Sequence, residues 1–475
     1  MFPGITVDMP ENRPVSEQII SAKEGIRYLS DSLRRFAEVG DTDKDNEIFN
    51  LYEAYRKADE KKMRDVLEDA AFIRYNPETL EASVAEALYC FKNKEGKQGA
   101  EDEALLLSSV SRLETFGSCP YKYFLKYGLK LREPSDFTIR RVDKGNVYHE
   151  VLQKFCEGLR NDKLSWKNLT NVEAAERIHK LTAEVTHTYG DAVFQDNERS
   201  RYSVKKIEET LLCTVIAIKH QVNKGQFEPV AFEAEFSERI EMKPAADGRK
   251  RKLLLVGKID RIDKAVLGDE VYVRVVDYKS AENKLKLDKL YDGQQLQLAI
   301  YTGEAAQREH AKPAAMLYYH IDNPVLEMGK ENESDEDREG RRFDKLKMQG
   351  LVAADMDIVA LCDSGLREQM QGSSDVVPVG IKKTDGNFTS TSNVLPIEDI
   401  SNLISYASEV AKDKACEILD GKIQINPLED NACKYCDFRK SCSFDRKIPG
   451  YETRVIDKLD DDQVLSLIRE KLSGN

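Results

Sequence analysis

The sequence lacks several features that would assign a protein to a membrane, a secreted or an ATP-hydrolysing class. No run of eighteen or more apolar residues occurs, and the first residues do not follow the charged-then-apolar pattern of a secretory signal. The phosphate-cradling motif G-x-x-x-x-G-K-[ST] is absent. We therefore expect a cytoplasmic protein that has no membrane partner and does not hydrolyse ATP by itself.

An overall excess of positive charge is also missing, since the 475 residues carry a formal net charge of −13. Nucleic-acid binding draws affinity from Lys and Arg, so this charge would ordinarily argue against a polyanion partner. Basic residues are nevertheless concentrated locally, at residues 122–144 and again at 249–252. Solvated loops are the more common explanation for such runs, and neither patch predicts nucleic-acid binding alone.

The nine cysteines do not form a disulfide framework, because their number is odd and their spacing irregular. Three of them form a C-x2-C-x5-C cluster near the C-terminus, and a fourth stands alone far upstream. Thiolates from both ends of a long segment can share one metal centre and close the segment around the chemistry between them. The four candidate ligands are Cys119, Cys433, Cys436 and Cys442.

Composition and periodicity predict three regions. Residues 1–104 are expected to be helical and charged, with a polar linker at 92–104, and residues 451–475 to form a helical tail. Between them, residues 105–450 form the main domain. A hydroxyl three residues before Glu114 suggests a capping box, so a helix is predicted to carry Cys119 near its end.

Within the main domain the hydrophobic period changes from helical to strand-like and back. A helix is predicted from Gly145 and more helix over 172–223. Strands at 230–240, 253–260 and 271–277 form a three-stranded meander. A helix over 290–306 and a strand over 315–321 follow, then a solvated insertion at 329–342 and helices at 397–420 and 464–472. The predicted class is α/β with a mixed sheet.

Two aspartates and a lysine mark the ends of neighbouring predicted strands. Asp260 ends one strand, Asp277 ends the next, and Lys279 points the same way as Asp277 because side chains alternate along a strand. One or two carboxylates and a scissile phosphate can satisfy Mg²⁺, which keeps several waters. The spacing D-x-K is common by chance, so the triplet alone would equally fit a surface strand.

The order and spacing of three motifs reduce that ambiguity. They are GKIDRID (257–263), VVDYKS (275–280) and QLAIY (297–301), and together they resemble the RecB-type branch of the PD-(D/E)XK nucleases. The resemblance implies a restriction-endonuclease-like core. It implies a metal site of His149, Asp260, Asp277 and the Tyr278 carbonyl, with Lys279 assisting the attacking water. Gln297 and Tyr301 would face the active site, and an upstream carboxylate is expected at Glu233, with Glu235 as the alternative.

The cysteine motifs make the resemblance more specific within the RecB-type nucleases. CPYKYFL (119–125) and CKYCDFRKSC (433–442) resemble the iron-sulfur nuclease domain of the B subunits of bacterial AddAB helicase-nucleases. This implies a [4Fe-4S] cluster on Cys119, Cys433, Cys436 and Cys442, with zinc as the alternative metal. It also implies an A-subunit partner, and DNA ends and single-stranded DNA as ligands. Residues 1–104 would be the tail of a helicase-like domain.

The favoured interpretation is a Mg²⁺-dependent DNA exonuclease domain of a helicase-nuclease that processes double-strand breaks for recombinational repair. Two alternatives remain open at this point. One is a DNA-end-binding and assembly module whose nuclease site is inactive, although the complete Asp260, Asp277 and Lys279 set argues against it. The other is a free-standing exonuclease of the CRISPR-associated kind, which the long helical N-terminal region disfavours.

Overall fold

The computed structural model describes residues 19, 21–39, 45–58, 79–90, 103–132, 139–189, 194, 197–327, 333–369, 371–442, 444–446 and 453–474. The chain divides into two compact units. The first unit is Met1–Glu78 with Cys442–Glu452, and the second is Thr79–Ser441 with Thr453–Asn475. Within these described ranges, none of the helices has the length and apolarity needed to cross a membrane.

The described part of the first unit contains two long helices, α1 (Ala22–Val39) and α2 (Asp45–Ala58). Leu29 and Leu33 lie four residues apart and therefore on one face of α1. Both are buried, together with Ile48 of α2, in a small core of their own. The helical prediction is confirmed for these segments, while the predicted linker at 92–102 lies outside the described residues.

A mixed seven-stranded sheet forms the centre of the second unit. Its order is β1-β3-β4-β5-β6-β9. Strands β1 and β4 pair with successive parts of one edge of β3, and β2 pairs with the opposite edge. A separate pair, β7 and β8, completes the described strands. The bounds are β1 (Glu103–Ser108), β2 (Glu228–Glu241), β3 (Lys250–Leu267), β4 (Glu270–Lys279), β5 (Lys312–His320), β6 (Gln349–Ala353), β7 (Gly372–Ser373), β8 (Gly380–Ile381) and β9 (Val394–Leu395).

Helices cover the sheet, and one short π-helix (Phe124–Gly128) follows α5 directly. The helical bounds are α3 (Ala82–Tyr89), α4 (Val110–Ser118), α5 (Pro120–Tyr123), α6 (Arg141–Asn161), α7 (Asn171–Thr188), α8 (Glu198–Lys224), α9 (Leu287–Tyr291), α10 (Gln297–Glu309), α11 (Asp335–Lys345), α12 (Met356–Cys362), α13 (Ser364–Gln369), α14 (Ile397–Leu419), α15 (Glu429–Lys434), α16 (Arg439–Cys442) and α17 (Asp461–Ser473).

Strand β3 changes partner along one edge, and this opens the place where the candidate site lies. That edge pairs in parallel with β1 as far as Leu255, and antiparallel with β4 from Arg261 onward. Its other edge pairs with β2 along almost its whole length. Strands β1 and β4 therefore diverge beside residues 256–260, which leaves room for side chains at the end of this stretch.

The predicted meander is confirmed as β2, β3 and β4, and the predicted helix-then-strand as α10 and β5. The single helix expected over 290–306 is instead two helices. Gly293 separates them in a left-handed conformation (φ 77°) that favours glycine. Strand β1 was not predicted, and its first two residues, Glu103 and Ala104, had been assigned to the expected linker. Part of the expected insertion at 329–342 forms the exposed helix α11.

Backbone hydrogen bonds fasten the segment after α4 to the segment after α14. The N–H of Leu428 donates to the carbonyl of Ser118 (2.8 Å), and the N–H of Tyr121 donates to Gln424 (3.2 Å). The guanidinium of Arg454 donates to the carbonyl of Gly117 (2.6 Å). These bonds hold the two ends of a stretch of about 300 residues side by side.

Candidate active site

Helix α6 brings His149 to the diverging edge of the sheet. Val147, Val151 and Leu152 are buried in the core, which orients the helix so that the His149 ring reaches the strands. His149 Nδ1 lies 2.7 Å from Glu233 Oε1 and 3.5 Å from Asp260 Oδ1. In the described ranges, these three side chains make up the one group of three potential metal ligands within 4.8 Å of each other.

Glu233 reaches this group because strand β2 is irregular. The register with β3 shifts between Pro229 and Ala231, and Glu233 has a positive φ of 47°, which is uncommon for a residue other than glycine. Bulges of this kind redirect side chains and are frequent beside active sites. Glu235 instead forms an exposed ion pair with Lys258 (3.3 Å). The structure thus places Glu233, and not Glu235, beside His149.

Asp260 and Asp277 face the same small volume from adjacent strands. Asp260 Oδ2 accepts the N–H of Tyr278 (2.7 Å), so the backbone of β4 holds the carboxylate of β3 in place. The Asp277 side chain is 1% exposed and forms an ion pair with Lys279. Asp277 Oδ1 is buried and has no hydrogen-bond partner among the described residues. An orphaned buried carboxylate oxygen is costly unless another group satisfies it.

The pKa values reflect a crowded group of acids. Burial and the charge of Asp277 raise the pKa of Asp260, against the opposing charge of His149. Burial also raises the pKa of Asp277, although Lys279 lowers it. Burial alone would lower the pKa of His149, but the hydrogen bond to Glu233 and the surrounding carboxylates raise it to about 9. The site therefore has more negative charge than its own cations neutralise, which is the electrostatic condition for binding a cation.

Lys279, Gln297 and Tyr301 line one side of the aspartates. The Lys279 ammonium donates to Gln297 Oε1 (2.9 Å), at the first residue of α10. The Tyr301 hydroxyl hydrogen-bonds Gln297 and lies close enough to Asp277 and Asp260 for both charges to raise its pKa, after the larger effect of burial. The structure thus brings Gln297 and Tyr301 of α10 together with Lys279 beside the two aspartates.

Glu114 belongs to the same site, and sequence reasoning missed it. Its Oε1 accepts the N–H groups of Leu296 (2.8 Å) and Gln297 (3.2 Å), so it caps the start of α10 from another helix. Burial raises its pKa to about 7, against those two hydrogen bonds and the charge of Lys279. The predicted capping box of Ser111 and Glu114 is wrong, because α4 already begins at Val110 and Ser111 therefore lies inside the helix. The Glu114 carboxylate accepts N–H groups of α10 instead.

The structure brings Cys119 near the C-terminal cysteines of the same unit. Burial raises the pKa of the Cys119 thiol. Backbone N–H groups of Lys122, Asn426 and Tyr121 lower it, and the charge of Cys436 raises it further. Cys433 is linked to this region because its carbonyl accepts the N–H of Cys436 (3.3 Å). Cys442 belongs to the first unit, and its role as a ligand stays a prediction.

A mixed sheet that presents two aspartates and a lysine beside a helical histidine, at the point where two strands diverge, defines a restriction-endonuclease-like class of protein. Consistent with this, the family model described as the PD-(D/E)XK nuclease superfamily matches residues 108–443. The chain belongs to this superfamily.

Curated relatives give a more particular likeness. The chain is 30% identical to the B subunit of the ATP-dependent helicase/deoxyribonuclease of Lachnoclostridium phytofermentans, over 99% of this chain and 40% of that protein. It is 33% identical to the B subunits of the enzymes of the same name from Clostridium kluyveri and Desulforamulus reducens, in each case over 77% of this chain and 32% of theirs. The chain thus spans about a third to two-fifths of the length of the relatives it matches.

Proposed function

We propose that this chain is the nuclease part of a bacterial helicase-nuclease B subunit, and that it hydrolyses DNA phosphodiester bonds with the help of Mg²⁺. In the complete enzyme it would act as an exonuclease on unwound strands at double-strand breaks, in the cytoplasm, together with an AddA-like subunit. The observation that carries the proposal is the convergence of His149, Glu233 and Asp260 on one point beside the Asp277–Lys279 pair.

The side chains present fit a hard divalent cation. Carboxylate oxygens and one imidazole surround the position, and Asp277 offers a buried oxygen that has no hydrogen-bond partner in the described part of the chain. Mg²⁺ prefers oxygen ligands and keeps several waters, so two or three protein ligands suffice. His149, Asp260, Asp277 and the Tyr278 carbonyl are the proposed ligands, with Glu233 orienting the imidazole or joining them.

The remaining residues have distinct proposed tasks. A cation bound at this position supplies a water of lowered pKa and neutralises charge on the phosphate. The Lys279 ammonium, held between Asp277 and Gln297, is placed to orient the attacking water and to stabilise negative charge on the phosphate. Gln297 and Tyr301 would position the strand. Glu114 would hold α10, and therefore Gln297, in register with the aspartates.

Replacing Asp277 tests the proposal directly. Asp277→Ala should abolish shortening of end-labelled single-stranded DNA in Mg²⁺ while DNA binding is retained, because it removes a metal ligand without touching the surface. Asp269→Ala is the matched control, since Asp269 lies in the exposed turn between β3 and β4. Cleavage by Asp277→Ala at the parent rate would refute the mechanism. Binding without any cleavage by the parent would favour the inactive assembly module.

We further propose that Cys119, Cys433, Cys436 and Cys442 hold a [4Fe-4S] cluster. Two observations support this: the N–H groups directed at Cys119, as is common around cluster sulfurs, and its proximity to Cys436.

The cluster proposal is tested by purifying the protein without oxygen. The parent should be brown with broad visible absorbance and about four irons per chain, as expected for this cluster type. Cys436→Ser should lose iron and unfold at lower temperature, because the cluster links distant parts of the chain. Cys416→Ser serves as the matched control, since Cys416 lies on α14, outside the proposed ligand set. Stoichiometric zinc without iron would refute the assignment.

A further inference from the structure

A cavity lies apart from the catalytic side chains, in the same unit. It has a volume of about 570 Å³, within the usual range for a ligand pocket. Its walls come from the end of α3, from β1, from α4 and α5, and from the π-helix and the residues that follow it. We call it the Tyr127 pocket, and its polar and aromatic lining consists of Tyr89, Tyr123, Tyr127, Arg112, Lys126, Lys130 and Arg132.

The charge of this pocket is of one sign. Its lining contains four cations, Arg112, Lys126, Lys130 and Arg132, and no carboxylate from the described residues. None of the four forms an ion pair within the described ranges of the chain. The basic run at 249–252 differs, because Arg249 pairs with Glu86 (2.6 Å) and Arg251 with Asp420 (2.6 Å). The pocket cations therefore differ from Arg249 and Arg251, because no carboxylate of the described residues neutralises them.

Tyrosine rings form one wall of the pocket. The ring centroids of Tyr89 and Tyr123 lie 5.3 Å apart, and those of Tyr123 and Tyr127 lie 5.0 Å apart. The Arg112 guanidinium sits over the Tyr127 ring, 5.0 Å from its centroid. The Tyr89 hydroxyl is buried and has no hydrogen-bond partner in the described part of the chain. Proteins that bind single-stranded nucleic acids commonly combine aromatic side chains, on which bases stack, with cations that contact the phosphates.

The backbone that carries these residues is unusual. Phe124–Gly128 is a π-helix, closed by a hydrogen bond from the N–H of Leu129 to the carbonyl of Phe124 (2.9 Å). Single π-helical turns are rare in proteins as a whole, and those that occur often lie at functional sites. Lys126 and Tyr127 lie within this turn, and Lys130 follows it with a positive φ of 55°. The strained conformation is maintained where the basic and aromatic side chains meet.

The pocket and the catalytic site lie on different sides of one helix. Arg112 of α4 lines the pocket, whereas Glu114 of the same helix bonds α10 at the catalytic site. Two residues along an α-helix correspond to a rotation of about 200°. Helix α4 therefore separates the two sites, and a strand bound at both would have to pass around it.

We propose that the Tyr127 pocket binds single-stranded nucleic acid, with a base stacked against the half-buried rings of Tyr89 and Tyr127 and adjoining phosphates on Lys126, Lys130 and Arg132. The inference deepens the proposed nuclease function and rests on it for the class of ligand. The pocket would hold a strand outside the catalytic centre, so that one chain grips nucleic acid at two places. Stacking supplies affinity that tolerates any base, as suits an enzyme that must process whatever sequence it meets.

Binding is tested on the full chain in an Asp277→Ala background, so that cleavage does not interfere. The probe is a fluorescein-labelled oligothymidylate, followed by anisotropy at several salt concentrations. Lys126→Ala/Lys130→Ala should weaken binding and make the slope of log K against log salt shallower by about 1.4, since each lost phosphate contact on a single strand contributes about 0.7. Lys382→Ala/Lys383→Ala removes two exposed lysines outside the pocket and should leave the slope unchanged.

Stacking is tested with Tyr127→Leu and a matched oligonucleotide whose sugars carry no bases. The parent should prefer the base-bearing strand by about tenfold, and Tyr127→Leu should remove most of that preference. A thermal melt of each variant separates lost binding from lost folding. Equal slopes for the two double-lysine variants, or an unchanged base preference in folded Tyr127→Leu, would overturn the inference. Cleavage by the parent is measured separately, so an inactive nuclease with a functional pocket remains distinguishable.

Discussion

Two groups of buried charged side chains lie on the same pair of strands, and they differ in how their charge is balanced. Asp260 and Asp277 face His149, whereas Arg261, Asp263 and Arg274 point to the other face of the sheet. Asp263 accepts hydrogen bonds from Arg261 (2.6 and 2.7 Å) and from Arg274 (2.7 Å), and all three side chains are 0% exposed. One face therefore neutralises its carboxylate, and the other does not.

The pKa values express the same difference. Burial raises the pKa of Asp260 and of Asp277, and the nearby cations do not overcome it. Burial would also raise the pKa of Asp263, but the charges of Arg261 and Arg274 hold it below its usual value. A buried carboxylate with its own cations is part of the fold. A buried carboxylate that has too few cations around it is suited to bind a positively charged ligand.

The largest effect is expected from breaking the neutralised group. Asp263→Ala should lower the free energy of unfolding by about 3–5 kcal/mol, because it leaves two buried guanidiniums without their carboxylate. Urea denaturation followed by circular dichroism measures this. Asp269→Ala, in the exposed turn between the same strands, should change stability by less than about 0.5 kcal/mol. A similar small change for Asp263→Ala would mean that the buried network contributes little to the fold.

A smaller effect of opposite sign is expected on the catalytic face. Asp260→Asn should leave the metal-free protein as stable as the parent or more stable at pH 8, since it removes a carboxylate that is repelled by Asp277. The same variant should lose most of the rise in melting temperature that Mn²⁺ or Mg²⁺ gives the parent. Thermal melts with and without the metal measure both. Two results together would contradict the proposed difference between the two faces of the sheet. They are a lower melting temperature of metal-free Asp260→Asn than of the parent, and a rise with metal as large as that of the parent.

The smallest effect is the pH dependence, and its sign differs between the two groups. The pKa of His149 is raised from about 6.5 in the unfolded chain to about 9, so the stability it contributes is complete below about pH 6.5 and is lost as pH rises through 9. Asp260, whose folded pKa is also raised, changes stability in the same direction. Metal-free protein should therefore melt at lower temperature as pH rises from 6.5 to 9.

Asp263 behaves in the opposite way, because its pKa is lowered. Its contribution is present above about pH 4, the ordinary carboxyl range, and is lost as pH falls further. In Asp260→Asn the loss of stability above pH 6.5 should be reduced, and the loss in acid should be unchanged. If the melting temperature of the metal-free parent does not change from pH 6.5 to 9, the carboxylates around His149 do not destabilise one another.

Local patterns predicted much of this arrangement from the sequence. Strand alternation placed Asp277 and Lys279 on one side, and the resemblance to the RecB-type nucleases implied that Gln297 and Tyr301 face the active site. Alternation failed at Glu233, because its positive φ of 47° departs from the extended backbone on which the comparison with Glu235 depended. It also gave no means of telling Asp260 from Asp263, since their difference lies in which cations surround them after folding.

Long-range contacts were the least predictable. Glu114 reaches the N–H of Leu296 across 182 residues, and no local signal links the two. Strand β1 was hidden because its partner, the start of β3, lies far along the chain. Arg249 and Arg251 looked like a free basic patch, and their partners Glu86 and Asp420 are distant in sequence as well. Each of these contacts depends on topology, which periodicity does not report.

The hydrogen bonds that join Ser118 to Leu428, and Tyr121 to Gln424, have a consequence for how the fold could be rearranged. Since the chain enters and leaves the nuclease core at neighbouring points, a circular permutant that joins these points and opens an exposed turn elsewhere should keep the same sheet. By the same geometry, the core could be inserted into a surface loop of another protein without stretching either partner.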